Sequence, residues 1–406
     1  MGVGEAAVRL FSETSQALVD SAVYLDYNAT TPVDPRVVAS LVPYLSTHFG
    51  NPSSAHLYGR QPHTALVRAR AQVAALIGAS PEEILFTGSG SEADATAIRG
   101  VVTAATRSGL GHPHVITQVT EHPAVLAACA YAQVHHGAEV TVLGVDAQGL
   151  VDPQDLLAAL RPETVLVSIM HANNETGVLQ PVAELLRITG EHGALFHTDA
   201  AQSVGKIPVD VTELGVDLLT LVGHKIYAPK GIAALYVRHG VGLDPLISGG
   251  GQEGGYRAGT ENVPYAVALG TAAQLAAADL SAGEPARLEG LRDRLHRELQ
   301  QRLPHRVHLN NGLGVPRLPQ TLNISIAGTS GHAVLAGCPQ LAASTGSACH
   351  AGTHQPSPVL SAMGFAQEHV LAALRLTLGR WTTTTDIVIA AEAIAHAVRG
   401  QSNSNT

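Results

Sequence analysis

Polar and titratable residues follow each of five predicted strands, at the point where the strand ends. The segments are Gly88–Glu92, Thr120–His122, His171–Glu175, Asp199–Gln202 and Gly223–Lys225. In an open α/β sheet the carboxyl ends of parallel strands meet at one edge, and the loops that follow them bind ligands. Any one segment would also suit a turn or a helix cap, but their shared location favours a common site. The sequence therefore predicts a ligand site along this edge.

The segment Gly88-Ser-Gly-Ser stands between a predicted strand and a predicted helix. The first N–H groups of a helix have no partner inside the helix and attract anions, so this segment is a candidate phosphate site. Gly88, Gly90 and Ala93 also match the Gly-x-Gly-x-x-Ala pattern of dinucleotide sites. The acidic residue expected about 20 positions further on is missing, however. A phosphate site is thus better supported than a nicotinamide dinucleotide site.

Lys225 lies in the mostly apolar stretch Leu221–Tyr227, directly after a predicted strand. Partial burial lowers the pKa of an amine and makes it nucleophilic, as lysines that form Schiff bases require. Asp199 stands at the end of a strand that we expect to lie nearby. A lysine amine, an aspartate for a pyridinium nitrogen and a phosphate site at a helix N-terminus are together typical of a pyridoxal 5′-phosphate (PLP) site.

The three cysteines stand in different surroundings. Cys129 and Cys338 are flanked by apolar residues, and we expect both to be buried. Cys349 lies among small polar residues, with His350 and His354 near enough in sequence to favour its thiolate. Because most single cysteines are inert, the residues alone make Cys349 a candidate nucleophile and leave its role open.

Two other kinds of site are poorly supported. The histidine pairs His112/His114 and His135/His136 have no Cys or acidic pair at a spacing that would complete a tetrahedral metal shell, so we predict no metal site. No Gly-x-Ser-x-Gly turn follows a predicted strand, which argues against a Ser-His-Asp hydrolase.

Composition narrows the class of protein further. The chain has 406 residues, 3 Cys and a net charge of −9. Three cysteines cannot form a disulfide framework, and a mildly acidic chain without a Lys/Arg cluster is not expected to bind nucleic acid or an anionic membrane. The first 20 residues lack the order of a signal peptide and no apolar stretch has the length of a membrane span, so we expect a cytoplasmic protein. Charged residues make up only 14%, which suggests a surface partly covered by another subunit.

Short β-branched runs alternate with longer apolar-periodic segments from about residue 82, the pattern of a mainly parallel α/β sheet. Strands are predicted at Glu83–Thr87, His114–Gln118, Glu139–Leu143, Thr164–Met170, Ala194–Thr198, Asp217–Val222 and Ile232–Val237. Helices are predicted between them near Ser91–Arg107, Pro123–Val134, Pro153–Ala159 and Pro181–Glu191.

The glycine-rich stretch Gly249–Gly259 interrupts this alternation. Beyond it we predict a helix at Ala286–Arg302, strands at Val307–Leu309 and Thr321–Ile326, and helices at Pro356–Met363, Glu368–Leu374 and Thr385–Val398. The chain is therefore expected to form a large α/β domain over residues 21–265 and a smaller α+β domain over residues 266–400. Residues 1–20 are expected to pack with the smaller domain, and residues 401–406 to form a disordered tail.

Eight motifs keep one order along nearly the whole chain. They are Tyr24-Leu-Asp-Tyr-Asn-Ala-Thr-Thr-Pro32, Gly50-Asn-Pro-Ser-Ser54, Thr120-Glu-His122, Asn173-Asn-Glu-Thr-Gly177, His197-Thr-Asp-Ala-Ala-Gln202, Gly223-His-Lys225, Arg257-Ala-Gly-Thr260 and Ser347-Ala-Cys349. This set resembles the cysteine desulfurases and selenocysteine lyases of the class V aminotransferase group. The resemblance implies a PLP-dependent transferase of fold type I, with a mainly parallel seven-stranded sheet in the large domain, and a homodimer.

The resemblance also implies a reaction in which L-cysteine is converted to L-alanine. Lys225 would bind PLP covalently and move the Cα proton of the substrate, Asp199 would keep the pyridine nitrogen protonated, and His122 would stack on the ring. The thiolate of Cys349 would attack the substrate sulfur and carry it as a persulfide to an acceptor protein.

Further residues acquire binding roles by the same resemblance. Gln202 and Asn174 would bond the phenolic oxygen of PLP or orient the substrate. Arg375 would bind the substrate carboxylate through its guanidinium fork. The phosphate ligands would be Gly90, Ser91 and His224, with Thr260 supplied by the other subunit.

Some positions leave the substrate open. Val222 replaces a serine that many bacterial desulfurases have, Ala95 replaces a common asparagine, and Gly88-Ser89 reverses the usual Ser-Gly. Three segments are closer to selenocysteine lyases, which would release selenium from L-selenocysteine: Val222-Gly-His-Lys225, Ala348-Cys-His350 and Gln355-Pro-Ser-Pro-Val-Leu360. Two more functions are compatible with these residues: a PLP aminotransferase or epimerase without thiol chemistry, and a binding module that holds a phosphate without turnover.

Overall fold

A computed structural model describes residues 22–312, 314–346 and 356–404 of the chain. Cys349 and residues 1–20, for which the sequence makes predictions, lie outside these residues. Within the described ranges, no helix combines the length and the apolar character needed to cross a membrane.

Twelve strands and thirteen α-helices build the described fold. The strands are β1 (Val23–Tyr24), β2 (Ile84–Thr87), β3 (His114–Gln118), β4 (Glu139–Leu143), β5 (Thr164–Ser168), β6 (Leu195–Asp199), β7 (Leu218–Val222), β8 (Ala233–Val237), β9 (Val307–Leu309), β10 (Thr321–Ile326), β11 (Leu341–Ala342) and β12 (Ala373–Thr377). The helices are α1 (Pro35–Ser46), α2 (Leu57–Leu76), α3 (Gly90–Arg107), α4 (Pro123–His136), α5 (Pro153–Ala159), α6 (Val182–His192), α7 (Val211–Leu214), α8 (Val263–Ser281), α9 (Glu284–Arg302), α10 (Gly331–Ala336), α11 (Pro358–Ala362), α12 (Gln367–Leu371) and α13 (Thr384–Ser404).

Seven strands form the large sheet in the order β2-β8-β7-β6-β5-β3-β4. Neighbouring strands from β7 to β4 are parallel, and β8 runs antiparallel to both β7 and β2. Both faces of the sheet are covered, so successive residues of one strand enter different cores: Leu218 packs on one face and Leu219 on the other. This confirms the predicted α/β class and the mainly parallel seven-stranded sheet.

A smaller antiparallel sheet has the order β12-β10-β9 and packs against α9 and α13. Strand β1 pairs with β11, and Val23 and Leu25 belong to the core of this smaller part. The segment after β1 therefore starts in the smaller part and continues into the larger one, where α1 lies.

The structure corrects three details of the sequence prediction. The proposed helix Glu368–Leu374 is wrong in its second half, because the chain from Ala373 pairs with β10 as strand β12. The boundary set between residues 265 and 266 falls inside α8, whose buried alanines pack in the core of the larger part. Helix α13 extends to Ser404, so residues 401–404, expected in a disordered tail, are helical.

Candidate active site

A cavity of about 760 Å³ lies where the carboxyl edge of the large sheet meets the smaller part. Nine of the predicted site residues line it: Gly90, Ser91, His122, Asn174, Asp199, Gln202, His224, Lys225 and Arg375. Thr260 is exposed and does not line the cavity of its own chain. Eight of the nine, all except Arg375, end or follow strands of the large sheet in five separate loops, which is how such a sheet gathers distant residues.

Lys225 ends a 3-10 turn, Gly223–Lys225, that directly follows β7. Its Nζ donates hydrogen bonds to the backbone carbonyls of Asn28 at 2.7 Å and Ala29 at 2.8 Å. Burial, followed by the positive charge of Arg375, lowers the pKa of Lys225 to about 8. The amine is therefore neutral in part near physiological pH, and a neutral amine is the nucleophilic form.

Asp199 ends β6, the strand beside β7, and is 8% exposed. Its Oδ1 accepts a hydrogen bond from the N–H of Ala201 at 2.9 Å. Burial raises the pKa of Asp199, while the Ala201 bond and the charges of His122 and Lys225 oppose that rise. A carboxylate in this position can hold a proton on a basic ring nitrogen, because the positive charge of that ring offsets part of the cost of burying the carboxylate.

Two further buried acids stand beside Asp199, and the sequence reasoning missed both. Asp94 lines the cavity from α3, is 2% exposed, and its Oδ1 has no hydrogen-bond partner among the described residues. Burial and then the charge of Asp199 raise the pKa of Asp94 well above its ordinary value. Glu121 accepts a hydrogen bond from the N–H of Met170 at 2.6 Å, and burial raises its pKa to about 8. Burial thus favours the neutral form of both Asp94 and Glu121, and the charge of Asp199 adds to the rise in the pKa of each.

His122 caps the N-terminus of α4, where its Nδ1 accepts a hydrogen bond from the N–H of Ala124 at 3.2 Å. Burial lowers the pKa of His122 and outweighs the charge of Asp199, which raises it. The imidazole is therefore neutral, and with Nδ1 as an acceptor its proton resides on Nε2. A neutral ring fixed by a helix cap is suited to stacking on a planar ligand.

The N-terminus of α3 supplies free N–H groups at Gly90 and Ser91. Ser89 caps the helix through the N–H of Glu92, at 3.1 Å. A Cβ at Gly90 would lie 2.6 Å from Cγ2 of Val222, so the valine that replaces the common serine requires glycine here. The helix has 18 residues, and its positive end opens on the cavity beside His224.

Arg375 enters the cavity from β12 of the smaller sheet and is 5% exposed. Its Nη2 donates to Oδ1 of Asp26 at 2.8 Å, and its Nη1 lies 3.3 Å from the carbonyl oxygens of Asn174 and Gly346. Its buried Nε has no partner within the described ranges. Asp26 thus fixes the orientation of the guanidinium, and the Nε–H is available to an incoming carboxylate. Asp26 was not predicted, although it stands inside the first of the eight motifs.

Gln202 carries a third buried polar atom without a hydrogen-bond partner among the described residues. Its Nε2 donates to the carbonyl of Asn28 at 3.0 Å, while its buried Oε1 has no partner in the part of the chain that the structure describes. The cavity therefore presents an amine, a buried carboxyl, a neutral imidazole, an unsatisfied amide and a helix N-terminus. These groups fit PLP, which carries an aldehyde, a pyridine nitrogen, a planar ring, a phenolic oxygen and a phosphate. Among the described residues, no group of three or more His, Cys, Asp or Glu could hold a metal ion.

Comparison with known proteins agrees with this geometry. The profile of the family Aminotransferase class-V matches residues 23–389. The cysteine desulfurase IscS of Dictyoglomus turgidum is 46% identical over 367 residues, which cover 90% of this chain and 91% of that protein. The cysteine desulfurase of Trichormus azollae is 46% identical over 369 residues, which cover 90% of each chain.

Solved structures give the same result. A NifS-like protein superposes with a TM-score of 0.85 at 34% identity, covering 93% of this chain and 99% of that one. The structure of SspA in complex with cysteine superposes with a TM-score of 0.77 at 36% identity, covering 89% of this chain and 99% of that one. The chain therefore belongs to the class V aminotransferase family and, within it, to the cysteine desulfurases.

Proposed function

We propose that this chain is a PLP-dependent cysteine desulfurase that converts L-cysteine to L-alanine and passes the sulfur to an acceptor protein. One observation carries the proposal: the amine of Lys225, the carboxyl of Asp199 and the N-terminus of α3 converge in one cavity with Arg375. The relatives named cysteine desulfurase and the structure of SspA with cysteine support the same substrate.

The residues of the cavity would hold the cofactor by distinct groups. The N–H groups of Gly90 and Ser91 and the side chain of His224 would bind the phosphate, together with the partner subunit's Thr260. Asp199 would hold the proton on the pyridine nitrogen, and His122 would stack on the ring. PLP supplies an electron sink that stabilises negative charge at the Cα atom of an amino acid.

The substrate would be bound by the cationic side chain of Arg375 and deprotonated by the neutral amine of Lys225. Arg375 would bind its α-carboxylate through Nε and Nη groups whose direction Asp26 fixes. Lys225, with its pKa lowered to about 8, would remove the Cα proton and return it to the product. Gln202 and Asn174 line the same cavity and would orient the bound amino acid.

Sulfur transfer would fall to Cys349, which lies outside the described residues. Its thiolate would attack the substrate sulfur, so that an S–S bond forms as the Cβ–S bond breaks. The electron pair of the broken bond would remain on the carbon, which is protonated to give alanine. An acceptor thiol would then take the terminal sulfur from the Cys349 persulfide.

The test measures PLP absorbance, sulfide release and alanine formation from L-cysteine in the presence of a thiol. Lys225→Ala should lose the covalent cofactor, shown by loss of borohydride trapping, and all turnover. Cys349→Ser should keep the cofactor and lose sulfide release, whereas the control Cys129→Ala should retain both. Wild-type rates of sulfide release by Cys349→Ser would refute the persulfide step.

The same preparation should be assayed with L-selenocysteine. Turnover of L-cysteine at a rate comparable with that of L-selenocysteine supports the desulfurase. Turnover of L-selenocysteine alone would identify a selenocysteine lyase instead, and amino-group transfer that survives Cys349→Ser would identify an aminotransferase. Protein that binds no PLP would favour a binding module.

A further inference from the structure

Arg380 joins the two parts of the molecule directly behind the turn that carries Lys225. It follows β12, and its side chain is 11% exposed. Its Nη1 lies 2.5 Å from Oδ2 of Asp34 at the start of α1, and its Nη2 lies 2.6 Å from Oδ2 of Asp279 in α8. Both acids belong to helices that pack on the larger part. Arg380 therefore holds the smaller sheet against α1 and α8.

The same residue contacts Tyr227, two positions after Lys225. The guanidinium carbon of Arg380 lies 4.1 Å from the centre of the Tyr227 ring, and its backbone N–H donates to the Tyr227 hydroxyl at 2.7 Å. Tyr227 has a φ of +70°, in the left-handed region that residues other than glycine rarely adopt. Such a conformation persists only where the surroundings impose it, so the contacts with Arg380 help to hold this backbone.

The chain from Thr31 to Asp34 binds the turn on both sides of Lys225. The N–H of Thr31 donates to the carbonyl of His224 at 2.9 Å, and the N–H of Tyr227 donates to Oγ1 of Thr31 at 2.9 Å. The N–H of Asp34 donates to the carbonyl of Tyr227 at 3.0 Å. Because Asp34 is itself paired with Arg380, the arginine acts on the turn both through the ring and through this acid.

We infer that Arg380 is a positioning residue for Lys225, acting through Tyr227 and Asp34 without lining the cavity. Arg375 stands five residues earlier in the same segment and does line it. The strand that presents the carboxylate-binding arginine thus continues directly into the residue that fixes the catalytic amine. This coupling sets the spacing between Arg375 and Nζ of Lys225. The inference rests on the proposed role of Lys225 but on no particular substrate.

The test follows the reactivity of Lys225 in the full-length chain prepared without PLP. Competitive labelling with acetic anhydride over a pH series, read by mass spectrometry of the Lys225 peptide, gives the pKa of its amine. In Arg380→Met the turn should relax and Lys225 should become better solvated, so its pKa should rise by about one unit. In the reconstituted enzyme, kcat should fall by roughly tenfold or more, with a smaller change in KM. Arg380→Lys should give a smaller rise in the pKa of Lys225 and a smaller fall in kcat than Arg380→Met.

Arg36→Met is the matched control. Arg36 pairs with the same carboxylate, Nη2 to Oδ2 of Asp34 at 2.8 Å, but its side chain is 61% exposed and, unlike that of Arg380, does not stack on Tyr227. Labelling of Lys225 and turnover should both be unchanged in this variant. An equal shift in Arg36→Met would show that loss of any Asp34 ion pair is sufficient, and would overturn the inference.

Tyr227→Phe keeps the test decisive if Arg380→Met does not fold. It retains the ring and removes only the hydroxyl that accepts the Arg380 N–H, so a smaller rise in the pKa of Lys225 is expected. An unchanged pKa in Tyr227→Phe and in every folded Arg380 variant would refute the inference. Because labelling needs no turnover, shifted labelling in a chain that releases no sulfide would contradict the proposed function alone.

Discussion

Replacing Lys206 by methionine should stabilise the protein at neutral and acidic pH. Lys206 is 6% exposed, and its Nζ has no hydrogen-bond partner in the part of the chain that the structure describes. Burial, followed by the charge of Lys225, lowers the pKa of Lys206 from 10.5 to about 7. Below pH 7 the fold therefore holds a buried ammonium group without a counter-charge, which opposes folding.

The size of this effect follows from the pKa difference between the folded and unfolded chains. A shift from 10.5 to about 7, at roughly 1.4 kcal/mol per unit, corresponds to a destabilisation of about 5 kcal/mol. Because the folded-state pKa is the lower one, the destabilisation is complete below pH 7, decreases between pH 7 and 10.5, and vanishes above that range. Relative to Lys206→Met, the wild type should gain about 3 kcal/mol between about pH 6 and pH 9.

Urea unfolding measures the free energy of unfolding of the wild type and of Lys206→Met. The measurements are made at roughly pH 6, 7.5 and 9, because this range covers the titration of Lys206 in the folded chain. The variant should be clearly more stable at pH 6, and its advantage should shrink by pH 9. Lys230→Met is the control. Lys230 is exposed and lies five residues after Lys225, so its replacement should not give a stability gain that shrinks as the pH rises. A variant that is less stable than the wild type at pH 6, or a difference independent of pH, would refute the reasoning.

Three further predictions concern the cavity. Gly90→Ala should weaken PLP binding, measured by absorbance titration, because the new Cβ would lie 2.6 Å from Cγ2 of Val222. Adding Val222→Ala should restore part of the affinity. If the double variant regained no affinity, the clash with Val222 would not be the cause. The rate of PLP attachment to Lys225 should rise with pH up to about 8 and then level off as the amine becomes neutral, whereas a rise that continues to about pH 10 would show an ordinary lysine. Arg375→Lys should raise KM for L-cysteine roughly ten- to a hundredfold with unchanged PLP affinity, and an equal loss of both would indicate a structural role.

The local sequence pattern predicts a strand of this fold correctly where both faces of that strand are buried. The run Leu218–Val222 is entirely buried and apolar apart from one threonine, and its bounds are found within one residue. The strand Ala373–Thr377 is the counterexample, because its preceding residues have a helical pattern and its conformation depends on pairing with Thr321–Ile326. Distant pairing of this kind overrides local propensity, so the sequence wrongly assigns the first two residues of this strand, Ala373 and Leu374, to a helix.

The candidate site likewise contains residues that the sequence predicts and groups that it does not. Lys225 and Asp199 are predictable because each follows or ends a strand, and that location alone brings them to one edge. The groups that position these two side chains and shift their pKa values are not predictable, because they are backbone atoms or residues distant in sequence. The carbonyls of Asn28 and Ala29 bind Nζ of Lys225, and backbone carbonyls leave no signature in residue type.

The two cysteines that the structure describes are unsuited to the proposed thiol chemistry. The chain has 3 Cys. Cys129 is 2% exposed and burial raises its pKa to about 12, while Cys338 is 1% exposed and burial raises its pKa as well. The thiolate is the reactive form, and neither residue lines the cavity, so neither can attack a bound substrate at neutral pH. The proposed sulfur transfer therefore assigns the nucleophile to Cys349, whereas amino-group transfer in the same cavity requires no thiol. Loss of sulfide release with retention of PLP in Cys349→Ser is thus the result that only a desulfurase predicts.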